Sequence, residues 1–210
     1  MKTASLISLA LAATLLLAAC QQASPPASDR WLPVAADGTI LTLEALGEHA
    51  CVFDQRTGLM WPVAADRPGL HQPGDTFSWH EADKDRSLGE PGLVGGGRCS
   101  LTRCDTEALV AAVNEQGLCG HNDWFLPGRE QLMTLVDRRH ADNGQVLDRR
   151  FFPEDPAGEY WTGSSFRLYP QSAWLVDTRV GLDRAELKTE ARYVRLVRRH
   201  ALPEHMEDKP

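Results

Sequence analysis

The chain has 210 residues, 42% hydrophobic and 24% charged, a globular balance that excludes collagen-like, coiled-coil and wholly disordered proteins. A formal charge of −7 supplies no broad cationic face, so no nucleic-acid partner is expected. Beyond one N-terminal run, nothing approaches the roughly 20 apolar residues that a membrane-spanning helix needs.

That run comes first. Met1-Lys2 is a minimal basic start, Leu6 to Leu17 is apolar, and Leu17-Ala18-Ala19-Cys20 closes it. A charged start, an apolar stretch of this length and small residues before a cut describe a secretory signal. The final tetrapeptide resembles the lipobox of bacterial lipoproteins, which implies cleavage before Cys20, a diacylglycerol on its thiol and acylation of the new amine. Two or more acyl chains anchor stably where one does not, so the expected partner of Cys20 is a membrane. Gln21 stands where an Asp would imply inner-membrane retention, and the outer membrane is therefore the expected location. Gln21 to Asp29 is polar and Pro-rich, the composition of a tether. The expected organisation is a signal peptide over 1–19, lipidated Cys20 and tether over 20–45, one domain over 46–200 and a disordered tail over 201–210.

Residues 52–63 predict a hairpin, with Val52-Phe53 leading into a turn that ends at Gly58 and Leu59-Met60-Trp61 resuming the apolar run. Residues 62–104 carry seven Gly and four Pro, and no helical period survives there beyond a short turn around Trp79–Asp85. A loop this long is usually functional, so it is the expected binding region, with Trp79 the candidate contact for a sugar or a partner. Asp105 offers an N-cap to a helix whose face is Leu109, Ala112, Val113 and Gln116, with Gly117 as its stop. A second helix is predicted from Arg129 to Asp137, with Leu132, Leu135 and Val136 inward. Strands are predicted over Glu159–Ser164, Ala173–Asp177 and Tyr193–Arg198. Two helices in a hairpin-connected chain point to an α+β fold with an antiparallel sheet and long loops.

With Cys20 lipidated, Cys51, Cys99, Cys104 and Cys119 remain, and two disulfides are the default for an exported chain. Four cysteines admit three connectivities. The expectation is a local Cys99–Cys104 clip and a Cys51–Cys119 bridge across a long loop. Zinc is the rival, although zinc sites present close pairs twice over and Cys51 and Cys119 have no such neighbours.

Several segments now align with one family. Asp54, Thr57, Gly58, Leu59 and Trp61 match an Asp-x-x-Thr-Gly-Leu-x-Trp opening strand. Asn114, Leu118, Cys119 and Gly120 match an Asn-x-x-x-Leu-Cys-Gly helix end, and Asp123, Trp124, Leu126 and Pro127 match an Asp-Trp-Arg-Leu-Pro-Thr hallmark. Phe152-Pro153, Tyr160-Trp161-Thr162, Ala173-Trp174 and Val194-Arg195-Leu196-Val197-Arg198 follow in order. The chain from about 50 to 200 thus resembles the Lcl C-terminal domain family, named for a bacterial collagen-like adhesin. Two hallmark positions depart, with Phe125 for Arg and Gly128 for Thr, which puts a family ion pair or helix cap there in question. The resemblance implies a C-type-lectin-like domain, with Asp54, Thr57, Gly58, Trp61, Asp123, Trp124, Leu126, Pro127, Trp161, Trp174 and Arg195 as structural motif positions. It also implies a distant likeness to formylglycine-generating enzymes, whose Cys-x4-Cys pair works with copper. Cys99 and Cys104 share that spacing but precede the hallmark, whereas the enzymes' pair follows it.

Catalytic motifs are otherwise missing from the sequence. His80-Glu81 lacks the second His of a zinc-protease helix, and Gly163-Ser164-Ser165-Phe166 fails as a nucleophile elbow. A calcium loop from Asp83 lacks its sixth-position Gly, where Leu88 stands, and its twelfth-position Glu, where Val94 stands. No enzyme and no cofactor are expected, with calcium in another loop geometry left open. Trp61, Trp124, Trp161 and Trp174 are expected in the core. Arg192, Arg195, Arg198, Arg199 and His200 could meet a sulfated glycan, as the resemblance to an adhesin suggests, but strand alternation divides them between two faces, and pairing with the chain's own acids is expected. The expected function is ligand or partner binding at the envelope, to a glycan or an envelope protein. A structural or assembly factor is the alternative, and an oxidase using Cys99 and Cys104 the last.

Overall fold

The computed structural model describes residues 30–64, 70, 72–139 and 144–200. The expected signal peptide over 1–19, Cys20, the expected tether over 21–29 and the expected tail over 201–210 lie outside the described residues. Among the described residues, no helix is long and apolar enough to cross a membrane.

Strands β1 (Trp31–Val34), β2 (Cys51–Asp54), β3 (Leu59–Pro62) and β9 (Arg198–Arg199) form an antiparallel sheet in that order. The predicted hairpin is β2–β3. Its turn closes on Asp54, whose carbonyl accepts the amides of Thr57 and Gly58 and whose buried carboxylate takes Arg30 through Nε (3.1 Å) and a second guanidinium nitrogen (2.7 Å). Within the opening motif the Asp binds Arg30, while Leu59 and Trp61 fill the core. Strand β1 corrects the expected tether boundary at 45, because Trp31 and Val34 bury and pair with β2. Pro33 lies within β1, which is an edge strand, where a missing N–H is tolerated.

The second sheet runs in the order β4 (Phe77–Ser78), β8 (Ala191–Val194), β5 (Glu159–Ser165), β6 (Ser172–Asp177) and β7 (Leu182–Leu187). Every ladder is antiparallel except β5–β8. The strand predicted over Tyr193–Arg198 is in fact two. β8 belongs to the second sheet and β9 to the first, and the buried residues 195–197 carry the chain between them. Alternation continues through the crossing, so the sequence pattern has no break there.

Among the described residues three α-helices form: α1 (Lys84–Ser87), α2 (Thr106–Gln116) and α3 (Arg129–Met133). Asp105 Oδ1 accepts the amide of Ala108 (2.9 Å), and Gly117, at φ +67°, ends α2 in the left-handed region where a side chain would be strained. Leu109 and Val113 are buried as predicted, but Gln116 is exposed. α3 stops four residues short of its predicted end, because Leu135 and Val136 donate to carbonyls only three residues back. With Gly128 at the Thr position, the Ser164 hydroxyl accepts the Arg129 amide (3.1 Å) and Gln131 Oε1 accepts that of Gly128 (2.8 Å).

The hallmark segment is locked to the end of α2. Asn114 Oδ1 accepts the Trp124 amide (2.7 Å), Asn114 Nδ2 donates to the Trp124 carbonyl (2.9 Å), and the Trp124 indole donates to the Leu118 carbonyl (3.0 Å). Asp123 pairs with Arg198 through Nε (2.6 Å), and that contact holds its carboxyl below the usual range. Trp61, Trp124 and Trp161 are buried. Trp174 is not: it is half-exposed, beneath the Arg129 guanidinium (4.2 Å) and edge-on to Phe166.

The two disulfides are Cys51–Cys119 and Cys99–Cys104. The first ties β2 to the turn after α2, and the second closes the loop leading to the α2 cap. The basic cluster pairs internally, with Arg192 on Glu159 (2.8 Å), Arg195 on Asp155 and Arg198 on Asp123, while Arg199 is exposed.

Candidate functional site

The described part of the 62–104 segment is not a free display loop. β4, α1 and short bridges from Thr76 to Arg98 and from His80 to Gly92 thread it into the second sheet. Trp79, expected to project from this loop, is only 1% exposed, and its indole donates to the Thr162 carbonyl (2.8 Å). A Cβ on Gly92 would sit 2.1 Å from the Trp79 carbonyl, so only glycine lets the strap fold back this closely.

The strap is pinned by Lys188, itself 1% exposed. Its amine lies 4.0 Å from the centre of the Trp79 ring and donates to the carbonyls of Ser87 (2.9 Å) and Glu90 (2.6 Å). Burial pushes this amine down to about 8, from the ordinary 10.5. An unfolded lysine keeps its proton up to about 10.5, so between the two values the unfolded chain holds more protons and stability rises with pH. Below 8 the cost of the buried cation is fully present. Tyr160 acts in the opposite sense above 10, because burial raises its phenol and the unfolded chain loses that proton first. Between pH 7.5 and 9.5 the wild type should therefore gain about 1–2 kcal/mol relative to Lys188→Met. Thermal or urea unfolding across that range measures the gain, and parallel curves for the two proteins would contradict it.

Above the strap lies a cleft of about 490 Å³. One wall is Trp79, His80 and Glu81 with Arg86 of α1, the second is Thr106, Glu107, Val110 and Ala111 of α2, and the third is Phe125 and Leu126 of the hallmark with Gly163 of β5. Thr106 Oγ1 clips two walls together, accepting the His80 amide (2.9 Å) and donating to the His80 carbonyl (2.8 Å). His80 Nδ1 faces Glu107 Oε2 at 2.7 Å. Glu81 takes both Nε (2.8 Å) and a terminal nitrogen (2.9 Å) of Arg86, which raises the guanidinium's already high pKa. Val110, Ala111, Phe125 and Leu126 supply the apolar half.

The cleft thus offers acceptors on one side and hydrocarbon on the other. Its single hydroxyl, that of Thr106, is consumed in the clip, and its lining, taken among the described residues, contains neither Ser nor Cys. Among the described residues no group of three or more His, Cys, Asp or Glu side chains could hold a metal. Of the binding candidate and the hallmark positions read from the sequence, the structure brings Trp79, Leu126 and the departing Phe125 here, Trp79 as a buried floor rather than a stacking face. His80, Glu81, Arg86, Glu107, Val110 and Ala111 had not been proposed as binding residues. One signal was present: Glu107, Val110 and Ala111 form a second stripe on α2, at three- and four-residue spacing, beside its core stripe.

Two sheets, two cross-links and the Asn114–Trp124 lock define a disulfide-clipped α+β domain with one wall of its cleft built from the hallmark. The family model for the Lcl C-terminal domain matches residues 50–198, and the chain belongs to that family. Comparisons with curated proteins and with solved structures returned no match.

Proposed function

We propose that this protein is an outer-membrane lipoprotein, held by acylated Cys20, whose Lcl C-terminal domain binds a ligand or partner at the envelope without catalysing a reaction. The observation that carries the reading is the cleft between the 79–86 strap, α2 and the hallmark. Its walls are cross-braced, it joins acceptors to an apolar face, and its one hydroxyl is already committed. Rigid walls lose little freedom when a ligand enters, and that favours recognition. Family membership supports a binding role, and a C-type-lectin-like ancestry remains part of the proposal.

A pull-down from native envelope tests it, with wild type compared against Ala111→Trp. Ala111 is exposed on α2, so a large ring there fills the cleft while sparing the core. The specific partner is expected to disappear from the variant, and an unchanged set of bound molecules would overturn the cleft as the binding site. Mass spectrometry of the mature protein should find Cys20 acylated, and an unmodified thiol would overturn the anchor.

A further inference from the structure

The cleft's charge and shape narrow what it binds. We infer that it takes a cationic group, a primary amine or guanidinium, carried on an apolar or aromatic stem. This inference rests on the cleft being the binding site. Glu81 and Glu107 receive the cation, while Val110, Phe125 and Leu126 receive the stem.

Three observations converge on this. First, the cleft's acids are weakly held: the Arg86 side chain on Glu81 is 67% exposed, and Glu107 is 41% exposed beside His80. Exposed ion pairs contribute at most about 1 kcal/mol, so an incoming cation exchanges with Arg86 at little cost. Second, Phe125 lines the wall at the position where the family hallmark carries Arg. This wall is therefore hydrocarbon, and a cation entering from outside exchanges with the partners the two carboxylates already have, Arg86 on Glu81 and His80 beside Glu107. Third, the chain's net charge of −7 draws cations toward it and repels anions. A neutral sugar fits less well, because Trp79 is buried and only half-buried Phe125 presents a ring.

The test titrates the whole chain at pH 8 with 2-phenylethylamine, its uncharged analogue 2-phenylethanol, and phenylacetate, followed by calorimetry and by amide NMR shifts. The amine is expected to bind in the millimolar range and to shift Ala111, Phe125 and Gly163. The alcohol should bind at least ten-fold more weakly, and phenylacetate should not bind. Phe125→Arg, which installs the hallmark residue, and Glu107→Gln should each weaken the amine about ten-fold, whereas Arg86→Ala should strengthen it. Equal binding of the three probes, silence of all three, or full amine binding by Phe125→Arg would overturn the cation assignment. If the Ala111→Trp pull-down still loses its partner in that event, the cleft stands as a binding site and only the ligand class falls. Acetyl-Phe-Lys-amide separates two sources of the same chemistry, and both outcomes support the inference. Tighter binding than the free amine assigns the cation to a side chain of a protein partner, and weaker binding assigns it to a small amine.

Discussion

Asp155→Ala should destabilise the protein by about 3–5 kcal/mol, because it strands a buried cation. Arg195 is 3% exposed and pairs with Asp155, donates to the Pro62 carbonyl (2.7 Å) and lies 4.6 Å from the centre of the Phe152 ring. It occupies the crossing between β8 and β9, so its contacts hold the two sheets in register where the chain passes from one to the other. Removing the carboxylate leaves the buried guanidinium without its counter-charge. The double replacement Asp155→Ala with Arg195→Met should recover most of the loss, since no ion is then left behind. Urea unfolding of the two single variants and the double closes the cycle. A loss below about 1 kcal/mol for Asp155→Ala would show that the pair does not hold the crossing.

Replacing Cys51 and Cys119 together by Ala should cost about 4 kcal/mol, against about 2 kcal/mol for the Cys99/Cys104 pair. The difference follows from loop length, 68 residues of separation against 5, since a cross-link restricts the unfolded chain more when it closes a longer loop. Domains are commonly stable by only about 5–15 kcal/mol, so losing the long bridge removes a large share. It would also free the turn after α2 that positions Asn114 and Trp124. Unfolding midpoints of the two double variants provide the comparison, and a costlier Cys99/Cys104 pair would contradict the entropic account.

Much of this fold was legible because its signals are local. Asp105 and Gly117 bound α2 through a cap and a left-handed stop, interactions among neighbours that any reading of the sequence can reach. The β2–β3 hairpin closes on a turn of five residues, and both disulfides follow the expected pairing. The motif residues Asp54 and Trp124 each find their hydrogen-bond partners inside the fold. What escaped is non-local. β7 reads Leu-Asp-Arg-Ala-Glu-Leu, too charged for a strand by pattern, yet it forms at a sheet edge where Arg184 meets Glu159 and Glu186. α3 was overextended, since an apolar face continues past the point where its backbone tightens.

By itself, then, the sequence determined the caps, the turns, the number of cross-links, the family and the α+β class, all of which follow from adjacent residues or from counting. Only the tertiary structure decided that Trp79 is floor rather than display, that Lys188 is buried, and that the strand ending at Arg198 splits between two sheets. It alone assembled His80, Glu107, Phe125 and Gly163 into one cleft. Each of those residues has ordinary chemistry where it stands in the chain. Burial and proximity belong to pairs of distant segments, and their effects on charge and access arise only once the segments pack together.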